Sequence, residues 1–295
     1  KDWSDYLSGI YGIDRGLLPD IAMAGESAGD VYPELIEEFG MDKDARFIIG
    51  GADTQAALMQ TGIGEGDIAV VSGTTSPVTA LVRDKVYDIR QRIWVDANLG
   101  ADGFLVEMNP GVTGLNYQRM KEALCPDISY DDLEKAYAGK TGFSCTASFS
   151  SLLFYERRSL RNGGFFMASP FSDAVDRTDM MWATLADVAC SIYEQLWRLR
   201  QLSGHSKNYI LGCGGGFKSD TLCQMLTDLS GLELRLKPGF EQATVNGLVS
   251  ICNKAMGEDS LKENGNYIGV RPSGSILIKQ YHGLWLKNRE AANPA

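Results

Sequence analysis

The stretch Arg46 to Val82, RFIIGGADTQAALMQTGIGEGDIAVVSGTTSPVTALV, constrains the fold more than any other part of the chain. Phe47-Ile48-Ile49 reads as a short buried strand, and the good helix formers from Thr54 to Thr61 read as a helix. Gly50-Gly51-Ala52-Asp53 lies between them, so Asp53 stands at a strand-to-helix junction. An aspartate there has two uses. It can cap the helix, with a side-chain oxygen accepting from a first-turn amide. It can also stand at the carboxyl end of a strand in an open α/β sheet, where ligands bind and a general base is useful. Asp67 to Val82 then runs apolar, small-residue, apolar, which is the pattern of a hairpin. Its turn, Ser72-Gly73-Thr74-Thr75-Ser76, exposes amides and hydroxyls without bulky side chains. Such a turn is either a plain connection or a close seat for an anion such as phosphate.

Composition narrows the class. At 295 residues and 44% hydrophobic, the chain can bury the core of one large or two medium domains. No apolar run reaches the roughly 18 to 20 residues of a membrane helix, and the opening KDWSDYLSGIYG lacks the basic-then-apolar order of a signal peptide. A cytoplasmic protein with no membrane partner is the expectation. The six cysteines are dispersed with no C-x-x-C pair, and His205 and His282 lie far apart, so neither a zinc site nor a disulfide framework is expected. A net charge of -10 argues against a nucleic-acid surface. The one basic cluster, Arg157-Arg158 with Arg161, reads as a solvated loop.

The chain in order gives a coarse architecture. Lys1 to Gly12 forms an amphipathic helix with Trp3, Tyr6, Leu7 and Ile10 as apolar positions and Gly12 as its C-cap. A short extended piece and a Gly/Ser turn precede a second helix, Pro33 to Phe39. After the hairpin, Arg92 to Leu99 and Gly103 to Met108 read as a strand pair. Leu115 to Leu124 and Asp131 to Ala138 read as helices, Thr141 to Ser151 as loop, and Phe165 to Met167 as a strand. Arg177 to Leu202 is the longest helix, with Met181, Leu185, Val188, Ile192, Leu196 and Leu199 forming a core stripe. A strand at Asn208 to Leu211, a helix at Ser219 to Ser230, a strand at Leu232 to Leu236 and helices at Gln242 to Met256 and Ile276 to Trp285 complete the order.

Between Leu211 and Ser219 lies Gly212-Cys213-Gly214-Gly215-Gly216-Phe217-Lys218. Gly212-x-Gly214 after a strand, with Glu233 about 20 residues on, invites a dinucleotide-binding oxidoreductase reading. Phe217 at the third small position and the single βα unit that follows weigh against it. Backbone packed flat against a purine or ribose suits these glycines better, and a plain tight turn also accounts for them.

GGAD, then a strand-turn-strand carrying SGTTS, then GCGGGFKSD opening a late helix, with EQATVNGLVSICNKAMG after it, resembles the FGGY family of carbohydrate kinases over essentially the whole chain. The resemblance implies an α/β protein of the ribonuclease-H-like, actin-like ATPase fold. Residues 1–64 would be the tail of an amino-terminal sugar-binding domain and residues 65–295 a complete carboxyl-terminal ATP-binding domain. It implies ATP-dependent phosphorylation of a sugar or polyol hydroxyl, with Mg²⁺ bridging the phosphates. Asp53 looks like the general base. Gly73, Thr74 and Thr75 look like the second phosphate loop. Gly214, Gly215 and Gly216 look like the adenosine-binding glycines, with Phe217 and Asp220 near the base or ribose. No D-x-G-T phosphate loop of the family's first domain occurs in these residues, so little turnover is expected from them alone. The arginines of YERRSLRNGG lack the proline of the family's acidic-basic-Pro loop. A non-catalytic nucleotide-binding or assembly module is the competing reading, and a homo-oligomer or a missing amino-terminal domain is the open question about partners.

Overall fold

A computed structural model describes residues 2–99, 102–150, 162–173, 175–258 and 266–292. The chain opens with α1 (Asp5–Tyr11), started by the Ser4 hydroxyl and closed by Gly12 in the left-handed conformation. β1 (Ser27–Asp30), α2 (Pro33–Phe39) and β2 (Arg46–Ile48) follow, and β1 pairs antiparallel with β2 in a sheet of its own. None of these four elements buries a residue: Trp3, Tyr6, Leu7 and Ile10 are exposed, so the apolar face of the first helix is uncovered.

The main body follows as α3 (Asp53–Thr61), β3 (Ile68–Val71), β4 (Val78–Val82), β5 (Trp94–Ala97), β6 (Phe104–Met108), α4 (Gly114–Leu124), α5 (Tyr130–Tyr137), β7 (Cys145–Ser148) and β8 (Gly164–Met167). It closes with α6 (Arg177–Ser203), β9 (Tyr209–Cys213), α7 (Asp220–Ser230), β10 (Glu233–Leu236), α8 (Ala243–Ala255), β11 (Ile268–Val270) and α9 (Leu277–Ala292). Seven strands make one sheet in the order β11-β10-β9-β3-β4-β6-β5. β3, β9 and β10 run parallel, and the other pairings are antiparallel.

Strand periodicity explains the layers. Successive side chains point to opposite faces. Ile68, Val70, Val78, Ala80, Val106, Met108, Ile210 and Leu234 meet the cluster built on α6, α7 and α9. Ala69, Leu81, Leu105 and Leu211 meet Leu58 of α3 on the other face. There α8 packs on α3, with Gly247 of α8 buried against it. The α6 stripe is buried at every expected position, and Ala183, Ala186, Ala189 and Cys190 on its opposite side are buried too. A helix buried on both sides lies inside the protein, and here α9 and β7 cover the far side of α6, whose buried residues also include Asp187, Glu194 and Gln195.

Several readings are revised. Of Phe47 to Ile49, read as a short buried strand, Phe47 and Ile48 fall in β2, which among the described residues pairs only with β1 outside the main sheet, so Phe47 is left 67% exposed. The segment read as loop from Thr141 carries β7, paired with β8. Its residues Cys145 to Ser148 are small and wholly buried, and the Ala147 amide donates to the Tyr281 hydroxyl at 2.9 Å, so tertiary burial ordered a segment of weak local propensity. The final helix runs past Trp285 to Ala292. The sheet, with β4, β6 and β5 antiparallel, is not a dinucleotide-binding one, and Glu233 is held by Arg235 and Arg271. The cluster Arg157, Arg158 and Arg161 lies outside the described residues.

The link between β4 and β5 is fastened by one carboxylate. Asp88, its side chain 3% exposed, accepts from Arg92 Nε at 2.7 Å, Arg92 Nη2 at 2.8 Å and the Arg92 amide at 2.9 Å. The Arg92 guanidinium holds the Asp88 carboxyl down at about 2, against 3.8 for an ordinary aspartate. A depressed folded-state value adds stability at neutral pH that disappears as pH falls from about 4 toward about 2. Urea unfolding should therefore find Asp88→Asn about 2 kcal/mol less stable than wild type at neutral pH, with the gap closing across that acid window. A gap independent of pH would refute the assignment.

Candidate active site

Parallel pairing sets Val71 of β3 opposite Cys213 of β9, so the loops leaving both strands emerge side by side. They are then stitched together. The Ser72 amide donates to the Cys213 carbonyl at 2.8 Å, and the Gly216 amide donates to the Ser72 carbonyl at 2.9 Å. This contact requires glycine. Gly214 has φ +100°, and a β-carbon there would lie 2.4 Å from the Ser72 carbonyl oxygen; at Gly216 it would lie 2.1 Å from Ser72 Oγ. Gly215 differs, because nothing stands within 4 Å of a β-carbon built on it. Its missing side chain leaves open space for something outside the chain.

That space is two cavities sharing one wall. The first, about 480 Å³, is lined by Asp53, Thr74, Thr75, Glu241 and Thr244 among others. The second, about 600 Å³, is lined by Tyr117, Tyr130, Glu134, Leu185, Lys218 and Leu222 among others. Gly73, Thr74 and Gly215 border both. The first carries the carboxylates of Asp53 and Glu241, and the second, although Asp131 and Glu134 also line it, is the more apolar of the two and has aromatic rings in its wall.

Asp53 is the first residue of α3, with Ala52 at the cap position, so it stands one residue inside the expected N-cap. Its Oδ1 accepts from the Thr54 amide at 2.7 Å, and its Oδ2 accepts no hydrogen bond among the described residues. The Thr244 hydroxyl, at the start of α8, donates to the Asp53 carbonyl at 3.4 Å. Two helix N-termini, of α3 and α8, therefore border the polar cavity, and such ends favour anions. In the hairpin turn the Gly73 amide is committed to the Thr75 carbonyl at 2.9 Å. The amides and hydroxyls of Thr74 and Thr75 donate no hydrogen bond among the described residues, and both residues line the cavity, with Thr75 bridged to Val112. The Thr74 carbonyl accepts from the Thr113 and Leu115 amides, which ties the turn to α4.

Two expected residues lie elsewhere. Phe217, in the 3-10 turn Gly215–Lys218, is 2% exposed and belongs to the large apolar cluster, because the turn directs its ring down onto Gly212. Asp220 follows the Ser219 cap at the start of α7 and lines a third cavity, with Lys140 and Asp228, away from Gly215. In return the structure brings in residues that no motif indicated. Tyr117 of α4 and Tyr130 and Glu134 of α5 wall the second cavity. Burial pushes the Tyr117 phenol up, and its hydroxyl lies 3.1 Å from that of Tyr137. The Glu134 carboxylate accepts from the Ser219 hydroxyl, the Thr221 amide at 3.1 Å and the Thr221 hydroxyl at 2.7 Å, fastening α5 to the start of α7. Glu241 and Thr244 fall within the EQAT segment, which was legible only as the prelude to a helix.

Among the described residues no three His, Cys, Asp or Glu side chains cluster to hold a metal ion, and no helix is long and apolar enough to cross a membrane.

No protein-family model matches the chain. The Bacillus subtilis protein named "Putative sugar kinase YoaC" is 35% identical over 254 residues, covering 85% of this chain and 52% of its own length. A xylulose kinase of Lactococcus lactis subsp. lactis is 23% identical over 242 residues, covering 79% and 47%. Among solved structures, Plasmodium falciparum glycerol kinase with ADP superposes with a TM-score of 0.79 at 15% identity, across 100% of this chain and 60% of that one. Xylulose kinase from Rhodospirillum rubrum gives 0.73 at 17% identity, across 99% and 60%. The structural likenesses speak for the fold, and the chain spans about half the length of the curated relatives it matches.

Proposed function

Because the chain belongs to the FGGY family of carbohydrate kinases, we propose that the full protein transfers the γ-phosphoryl group of ATP to a hydroxyl of a sugar or polyol. The observation that carries this reading is the double cavity: the Asp53 and Glu241 carboxylates and two helix N-termini on one side, an aromatic-walled and more apolar pocket on the other, joined at Gly73, Thr74 and Gly215. A nucleoside triphosphate needs such a divided site. Its base takes the apolar pocket, its phosphates cross the Gly73-Thr74 turn, and its γ-phosphoryl group points toward Asp53.

In the transfer, the substrate hydroxyl attacks the γ-phosphorus while Asp53 accepts its proton. The new O–P bond forms as the bond from phosphorus to the β-γ bridging oxygen breaks, and ADP leaves with that electron pair. Thr74 and Thr75 donate to the phosphate oxygens, and the α3 and α8 N-termini add positive potential where charge builds. Asp53 and Glu241 are the carboxylates of this cavity that could hold Mg²⁺ beside the phosphates, and the ion would supply charge neutralisation during transfer. Residues 2–64 are read as the end of a first domain and residues from 65 onward as a second, ATP-binding one.

The test is calorimetric titration of the 295-residue chain with Mg·ATP. Wild type is expected to bind, and Gly215→Val to bind at least about tenfold more weakly with an unchanged melting temperature, since the new side chain enters open space. Equal affinity in the variant would place the nucleotide elsewhere and end this reading.

A further inference from the structure

We propose that Tyr130 is the residue that grips the nucleotide base, so that the base lies with its face on the Tyr130 ring above the Gly215-Gly216 backbone. This rests on the nucleotide reading of the double cavity and adds the residue that holds the base by stacking and sets its preference for purines.

Four observations converge on Tyr130. It is the first residue of α5 and is 49% exposed, so it contributes little to the core, yet its side chain helps line the 600 Å³ cavity. Its ring lies against Tyr117, with centroids 6.1 Å apart and planes at 36°. Lys121 also engages it, with its ammonium over the ring 5.6 Å from the Tyr130 centroid. The Glu134 carboxylate, one turn along α5, binds Ser219 and Thr221 and so fixes α5 relative to the glycine turn. An aromatic ring thus stands at a set place beside a floor of bare backbone. That combination recognises a flat heteroaromatic ring by stacking, which tolerates any base and favours the one with the larger face.

The test is titration of the chain with ADP and, separately, CDP, for wild type, Tyr130→Leu, Tyr130→Phe and Gly215→Val, each checked by thermal melting. Tyr130→Leu keeps apolar bulk at a half-exposed site and is expected to melt as wild type while binding ADP roughly ten to a hundredfold more weakly. The ADP-over-CDP preference of the wild type is expected to shrink in the same variant. Tyr130→Phe is expected to keep both affinity and preference within about threefold, because the ring face remains. If Gly215→Val abolishes ADP binding but Tyr130→Leu binds within about twofold of wild type, the proposal falls and the nucleotide reading stands. If Gly215→Val binds as wild type, or wild type binds no ADP, the nucleotide reading falls and takes the proposal with it.

Discussion

Asp53→Asn is expected to slow phosphoryl transfer by the full gene product roughly a hundredfold to ten-thousandfold, with nucleotide affinity unchanged within about twofold. A carboxamide has nearly the shape of a carboxylate, and its Oδ1 can still accept the Thr54 amide that now lies 2.7 Å from Asp53. The start of α3 should therefore persist, with about 0.3–1 kcal/mol of favourable charge at the helix N-terminus removed. On the proposed mechanism, what disappears is the ability to take a proton from the attacking hydroxyl. The nucleotide would be held by other groups, chiefly Thr74, Thr75 and the surface around Gly215, which line the two cavities. Steady-state assay of ADP release against a panel of sugars and polyols, beside ATP calorimetry, separates the two effects. Turnover like that of wild type would remove Asp53 from the base role. Loss of ATP binding would make it a nucleotide-site residue instead.

The second large effect falls on stability. Gly247→Val should destabilise the protein by about 3 kcal/mol or more and lower its melting temperature by roughly 5–10 °C. Gly247 lies at the crossing of α8 on α3, and a β-carbon there would come within 1.9 Å of the Ala56 carbonyl oxygen. That neighbour is helix backbone, which cannot turn aside as a flexible side chain can, so the two helices must separate. Because α3 starts at Asp53 and α8 starts beside it, separation also disturbs the polar cavity, and turnover should fall with stability. Gly215→Val is the matched control, the same exchange at a glycine with open space beside it. Calorimetric melts of both variants decide the matter: an unchanged melting temperature for Gly247→Val would mean that the helices do not cross so closely.

Part of the candidate site was legible because its backbone contacts are local. Glycines at Gly214 and Gly216 are demanded by the close approach of the Ser72 loop, which sequence records directly as a run of small residues. The failures share a cause. Phe217 follows three glycines and looked like part of the ligand surface, but a tight 3-10 turn rotates its ring into the core. Asp220 comes soon after Gly216 in the chain, yet the cap at Ser219 carries it round to a different cavity. Residues 145–148 have no strand pattern of their own, and became β7 because α6 and α9 enclose them.

The sequence alone determined the strand-to-helix junction at Asp53, the hairpin, the apolar stripe of α6 and the glycines that let two loops touch, since each depends on neighbours within a few residues. Only the tertiary structure decided that the two loops lie side by side, that α3 and α8 cross at Gly247, and that Tyr117, Tyr130 and Glu134 face the glycine turn. Those facts follow from the parallel pairing of β3 with β9 and from α5 docking on α7 through Glu134. Such contacts join residues far apart in the chain, as Glu134 and Thr221 are at a separation of 87, and no local pattern encodes the partner at the far end.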